Sequence, residues 1–151
     1  MKKKISTLIT ILISLTILYS IIWFASSELV FSKYITDDFE KTPVSGFTSR
    51  IKEVDGYILT VKKPDYGSFT GNLSISGQHS NISMLIWPSF FKDSKYHIII
   101  EDGEETFQMD VDESFSPLEN NPANEQVIKK YAAELHKQRE ILQETWGLFE
   151  G

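Results

Sequence analysis

The spacing of hydrophobic positions changes twice along the chain. Ile5 to Phe24 is an apolar run with no charged residue. At about 1.5 Å per residue, twenty helical residues span about 30 Å, the thickness of the bilayer hydrocarbon. The serine and threonine hydroxyls within the run can bond back to helix carbonyls. Tyr19 and Trp23 fall near its far end, where amphipathic rings favour the interface. Leu29, Val30, Phe31, Tyr34 and Ile35 keep a helical spacing beyond it. Asp37, Asp38 and Glu40, followed by Pro43 and Gly46, read as a stalk or linker.

From Phe47 the period becomes two. Phe47 to Val54 and Tyr57 to Lys63 are expected strands joined at Asp55-Gly56, a dipeptide suited to the positive φ of a two-residue hairpin turn. Pro64-Asp65-Tyr66-Gly67 is turn chemistry. Ser68 to Ser76 alternates most cleanly, with Phe69, Gly71, Leu73 and Ile75 on one side. Ile82 to Trp87 is apolar on both faces, which predicts an interior strand ended by Pro88. Tyr96 to Glu101 and Glu104 to Val111 form a second hairpin around Asp102-Gly103. Asn121 can cap a helix with Pro122 at its first position. Ile128, Tyr131, Leu135, Leu142 and Trp146 then mark one apolar stripe that Gly147 ends. Arg139 interrupts the stripe, and sustained heptads are missing, which disfavours a coiled coil.

The pattern predicts an N-terminal transmembrane helix followed by a mainly antiparallel β domain. That domain has about six strands, as a meander or small sandwich, with a C-terminal amphipathic α-helix packed on it. The expected divisions are a cytoplasmic tip and anchor over 1–27, a juxtamembrane stalk over 28–46, and an extracytoplasmic domain over 47–151.

Charge sets the expected orientation. Lys2, Lys3 and Lys4 precede the apolar run and favour a cytoplasmic N-terminus, which places the C-terminus outside. The alternative is a secreted product cleaved near Ser27, after the small residues Ala25-Ser26-Ser27. The length of the run and its flanking Trp23 and Phe24 favour a retained anchor. From Glu28 onward, 12 basic residues stand against 21 acidic ones, a balance of −9. That balance disfavours nucleic acid and contact with an anionic membrane surface. The chain has no cysteine, so disulfides, thiolate metal sites and thiol nucleophiles are excluded.

The remaining chemistry is sparse. His79, His97 and His136 lack metal-ligand spacing. The carboxylates at Glu101, Asp102, Glu104 and Glu105, and at Asp110, Asp112 and Glu113, do not match a calcium loop; they read as solvated charges that blunt a sheet edge. No serine elbow or phosphate loop is present. Asn72 and Asn81 fit the glycosylation acceptor pattern and carry no argument. Neither catalytic residues nor a cofactor or metal site is expected. Trp87-Pro88-Ser89-Phe90-Phe91 is the most unusual local feature. Trp87, Phe90 and Phe91 can anchor a partner, dip into a membrane interface, or simply close one end of the domain. The expected function is a non-enzymatic accessory or binding domain, held in the membrane by Ile5 to Phe24, that engages a membrane or cell-surface protein. An extracytoplasmic ligand or calcium sensor is the alternative, and an envelope hydrolase is the remote one.

Overall fold

The computed structural model describes residues 2–44, 47–89 and 92–149. Helix α1, Lys2–Phe31, is 30 residues long and is followed by a 3-10 turn at Ser32–Tyr34. Seven strands form one antiparallel open sheet in sequence order: β1 Glu40–Val44, β2 Phe47–Val54, β3 Tyr57–Lys62, β4 Asn72–Gly77, β5 Ile82–Trp87, β6 Lys95–Asp102 and β7 Glu105–Val111. Two helices, α2 Pro122–Lys130 and α3 Ala132–Trp146, complete the fold. The meander is therefore the observed form, and no second sheet faces it among the described residues.

The core lies on one face of this sheet. Leu59 and Val61, Leu73 and Ile75, Met84 and Ile86, and Ile98 and Ile100 are almost wholly buried there. Strand alternation puts them on the side where Val127, Leu135, Ile141, Leu142 and Trp146 of α2 and α3 pack. The expected single C-terminal helix is two, broken at Tyr131, although backbone bonds from Tyr131 to Val127 and from Leu135 to Tyr131 keep the helical course. The Asn121 side chain accepts the Ala123 N–H at 3.0 Å, and Gly147 ends α3 in the left-handed region, φ 63°.

Residues 28–44 do not form a separate stalk. Phe31 and Tyr34 are 2% and 4% exposed, and Phe39 is 4% exposed, all within the core cluster. Glu40 to Val44 pairs with β2 as the first edge strand. The polar and proline-containing stretch that suggested a linker thus carries one large ring at each point where it meets the core. Gly71 permits this close approach: a Cβ there would stand 2.4 Å from the Lys62 carbonyl and 2.6 Å from the Phe31 ring.

One hairpin follows expectation and the other differs from it. At β2–β3 both Asp55 and Gly56 have positive φ, 51° and 79°, as the Asp-Gly pair requires. At β6–β7 the turn moves one residue on, to Gly103-Glu104, and Asp102 pairs with Glu105 in the ladder. Asp102 shares a face with Ile100, so its carboxylate points at α2. It takes Lys130 Nζ at 2.6 and 2.7 Å and the Tyr131 hydroxyl at 3.1 Å. Lys130 holds the Asp102 carboxyl below its ordinary pKa.

Because Phe31 is a core residue, Phe31→Ala is expected to destabilise the detergent-solubilised full chain by about 3–5 kcal/mol. A stalk substitution would cost within about 0.5 kcal/mol. Denaturant unfolding followed by tryptophan fluorescence distinguishes the two.

Candidate functional site

The first notable region lies where the Pro64–Thr70 connection meets α1. Trp23, on the side of α1, donates its indole N–H to the Ser68 carbonyl at 2.6 Å and shares it with the Asp65 carbonyl at 3.2 Å. Ser20 gives its hydroxyl proton to the Thr16 carbonyl, so the Tyr66 hydroxyl donates to Ser20 Oγ at 2.8 Å. Tyr19 meets Tyr66 and Phe69 edge to face, with ring centroids 6.3 and 5.9 Å apart, and Trp23 meets Tyr66 at 5.2 Å. Such pairs add about 0.5–1.5 kcal/mol each to area burial. One step outward, Lys63 binds both Glu28 carboxylate oxygens at 2.7 and 2.8 Å.

This contact explains why the Ser68–Ser76 alternation begins as a strand only at Asn72. The Asp65 and Ser68 carbonyls are engaged by α1, and Phe69 turns outward, 52% exposed, instead of joining Leu73 and Ile75 in the core. Tyr66 is 63% exposed. The result is an aromatic collar of Tyr19, Trp23, Tyr66 and Phe69 around the outer end of the apolar helix. Its hydrogen bonds span 42–46 residues of sequence, a separation that periodicity does not reveal. The pairing of turn chemistry with two exposed aromatics in Tyr66-Gly67-Ser68-Phe69 was the available signal.

The second region is the sheet face opposite the core. Its described side chains form rows across the strands. One runs Ile51, Thr60, Ser74, Leu85, His97, Asp110; another runs Ile58, Ser76, Ser83, Ile99, Gln108. No helix covers this face among the described residues. Trp87 belongs to it: its ring meets the His97 imidazole at 6.1 Å, and His97 Nδ1 lies 2.8 Å from Asp110 Oδ1. Phe90 and Phe91 lie outside the described residues.

The other candidate residues are dispersed or already engaged. His79 and His136 are exposed and stand apart from His97 on other elements. Asp112 accepts the Ser114 N–H, the Ser114 hydroxyl and the Ser116 N–H at 2.8, 2.7 and 2.9 Å. These bonds hold its pKa low and shape the turn in which Phe115 has φ 65°. Tyr57 donates to Glu134 Oε1 at 2.8 Å; burial, with Glu134 adding to it, pushes the phenol up to about 12. Among the described residues, no three histidines or carboxylates are grouped so as to hold a metal ion.

The chain is thus of the class in which one apolar helix, long enough to cross a membrane, enters an open antiparallel sheet backed by C-terminal helices. No family model matches it, and neither a curated protein nor a solved structure does.

Trp23→Phe removes the shared indole bond while keeping a ring. Its loss is worth about 0.5–1.5 kcal/mol, so the 65–70 amides are expected to exchange hydrogen about two- to tenfold faster, with the core strands unchanged. Equal exchange would show that the collar is held by its ring contacts alone.

Proposed function

We propose that this protein is a single-pass, membrane-anchored, extracytoplasmic accessory domain that binds a protein partner and catalyses no reaction. The observation that carries the reading is the continuity of α1. Its first part is bare on all sides, with Ile5, Leu12, Leu18 and Ile22 about half exposed, and at its end Ser27 and Phe31 are buried against the domain. A bare apolar helix of bilayer length is stable in lipid and costly in water. A helix that ends in a packed core holds the domain at a fixed height and angle, which suits presentation of a surface to a neighbour.

The collar supports the membrane reading. Trp23 lies 18 residues beyond Ile5, about 27 Å along the axis, so Tyr66, which meets it, stands near the end of a span of about 30 Å. Exposed aromatics at that depth match an interfacial belt. The same packing favours a retained anchor: Ser27 is 5% exposed, and cleavage beside it would remove Trp23 from the 64–70 connection. The uncovered sheet face supports the binding reading. Leu85, Trp87 and Ile99 are half-buried apolar residues among serines and polar side chains, the mixture of apolar anchor and polar surround found at protein contacts.

Because the chain lacks cysteine, single introduced thiols report topology cleanly. In intact cells, a membrane-impermeant maleimide is expected to label Glu144→Cys, and to label Lys3→Cys only after permeabilisation; the opposite pattern overturns the orientation. A photo-crosslinking residue at Leu85 or Ile99 is expected to give a discrete adduct with one protein that the same residue at Glu144 does not give. Leu85→Glu should abolish the Ile99 adduct while leaving the melting temperature within a few degrees. Equal adducts from all three sites would reject the sheet face as the contact.

A further inference from the structure

A cleft of about 620 Å³ opens between the end of α1 and strands β1 to β3, with Tyr66 of the collar on its wall. Ser32, Thr48, Lys41, Arg50 and Lys63 also line it. Lys41 and Arg50 stand directly opposite each other in the β1–β2 register. Opposed residues have their Cβ atoms about 4.5–5.5 Å apart on one face, and like charges so placed repel. Neither has a carboxylate partner among the described residues, whereas the other charges at the cleft are matched. Lys63 is bound by Glu28 at 2.7 Å, and Asp65, also on the wall, lies 3.7 Å from Lys62. Two adjacent cations beside a neutralised rim make a local positive site on a domain whose charge is otherwise negative. At physiological salt the Debye length is about 8 Å, so these two charges outweigh distant carboxylates for any ligand seated in the cleft.

We propose that this cleft binds the phosphate headgroup of an anionic membrane lipid, with Lys41 and Arg50 as the charge partners and the Thr48 hydroxyl as a neutral donor. The proposal rests on the membrane-anchored reading for the source of the ligand. The occupant is argued from position. Tyr66 lines the cleft and also touches Ser20, Tyr19 and Trp23 on the apolar helix, so one side chain joins the cationic space to the surface on which acyl chains would lie. Arginine suits the oxygen geometry of phosphate, with lysine acting as a point charge beside it. The anion relieves the repulsion between the two cations, which the fold leaves uncompensated.

Native mass spectrometry of the full chain, released from micelles doped with phosphatidylglycerol, tests the site. One retained lipid is expected per chain, and phosphatidylcholine should be retained about tenfold less. Lys41→Gln/Arg50→Gln should lower phosphatidylglycerol retention at least tenfold, while Lys129→Gln/Lys137→Gln on the C-terminal helices should leave it unchanged. Retention by the first pair equal to that of the unaltered chain overturns the proposal. If the double variant does not fold, Lys41→Glu, at an exposed position, is expected to give the same loss, and no loss overturns the site. Displacement of the lipid by glycerol phosphate at equal concentration would assign the cleft to a free phosphate and overturn the lipid assignment. Alkaline carbonate extraction separates the two readings: a chain released by carbonate that still retains lipid in micelles loses the anchor and keeps the site.

Discussion

Trp146, in the last turn of α3, donates its indole N–H to the Tyr34 carbonyl at 3.0 Å, stacks near Phe39 at 6.3 Å and meets Tyr34 edge to face at 6.0 Å. This clasp joins the end of the N-terminal helix to the end of the C-terminal one across 112 residues. Its bond is buried, so losing one partner would leave a polar group without water. The rest of the architecture depends on it. With Tyr34 fixed, Phe31 is held against Gly71, and the direction in which α1 leaves the domain is set. Without it, the end of α1 would rest on Phe31 against Gly71, the Glu28–Lys63 pair and the collar.

The sheet needs a cover on one face, and the C-terminal helices supply it with a mixture of apolar and directed polar contacts. Gln138 is wholly buried and donates its Nε2 to the Ile82 carbonyl at 3.1 Å, while its Oε1 has no partner among the described residues. A buried unpaired carbonyl costs about 1–3 kcal/mol. Leucine at this position would keep the apolar packing but leave the Ile82 carbonyl without this donor. The arrangement therefore fixes the register of α3 on β5 at some expense of stability. Glu134 to Tyr57 and Asp102 to Lys130 and Tyr131 add further polar ties along the same helices.

Much of the fold was legible because a half-buried strand writes its orientation into every second residue. Leu59 and Val61, Leu73 and Ile75, and Met109 and Val111 are buried as their alternation implied. The cap at Asn121 and the stop at Gly147 were equally local. What local pattern does not hold is contact between distant segments. Phe31 and Tyr34 continue the helical spacing and Phe39 sits between Asp38 and Glu40, but their burial depends on Gly71 and Trp146, which lie far along the chain. The turn at Gly103-Glu104 moved one residue because Asp102 serves α2, again a tertiary demand. Of the candidate site, Trp87 was legible as an odd aromatic at a strand end. The collar was not, since Tyr66 and Phe69 become meaningful only once Trp23 engages the Asp65 and Ser68 carbonyls.

The topology also sorts the chemistry along the sheet. In a meander, successive connections alternate between the two ends, so the β1–β2, β3–β4 and β5–β6 connections share one end and the β2–β3, β4–β5 and β6–β7 connections share the other. The first end is the one that α1 reaches, and Tyr66, Phe69 and Trp87 belong to it. The other carries Asp55, Glu104 and Glu105. A net charge alone suggests an acidic body that keeps its distance from any anionic surface. Lys41 and Arg50 stand on β1 and β2, at the opposite edge of the sheet from Asp110, Asp112 and Glu113 on and after β7, and Asp55, Glu104 and Glu105 lie at the end away from α1.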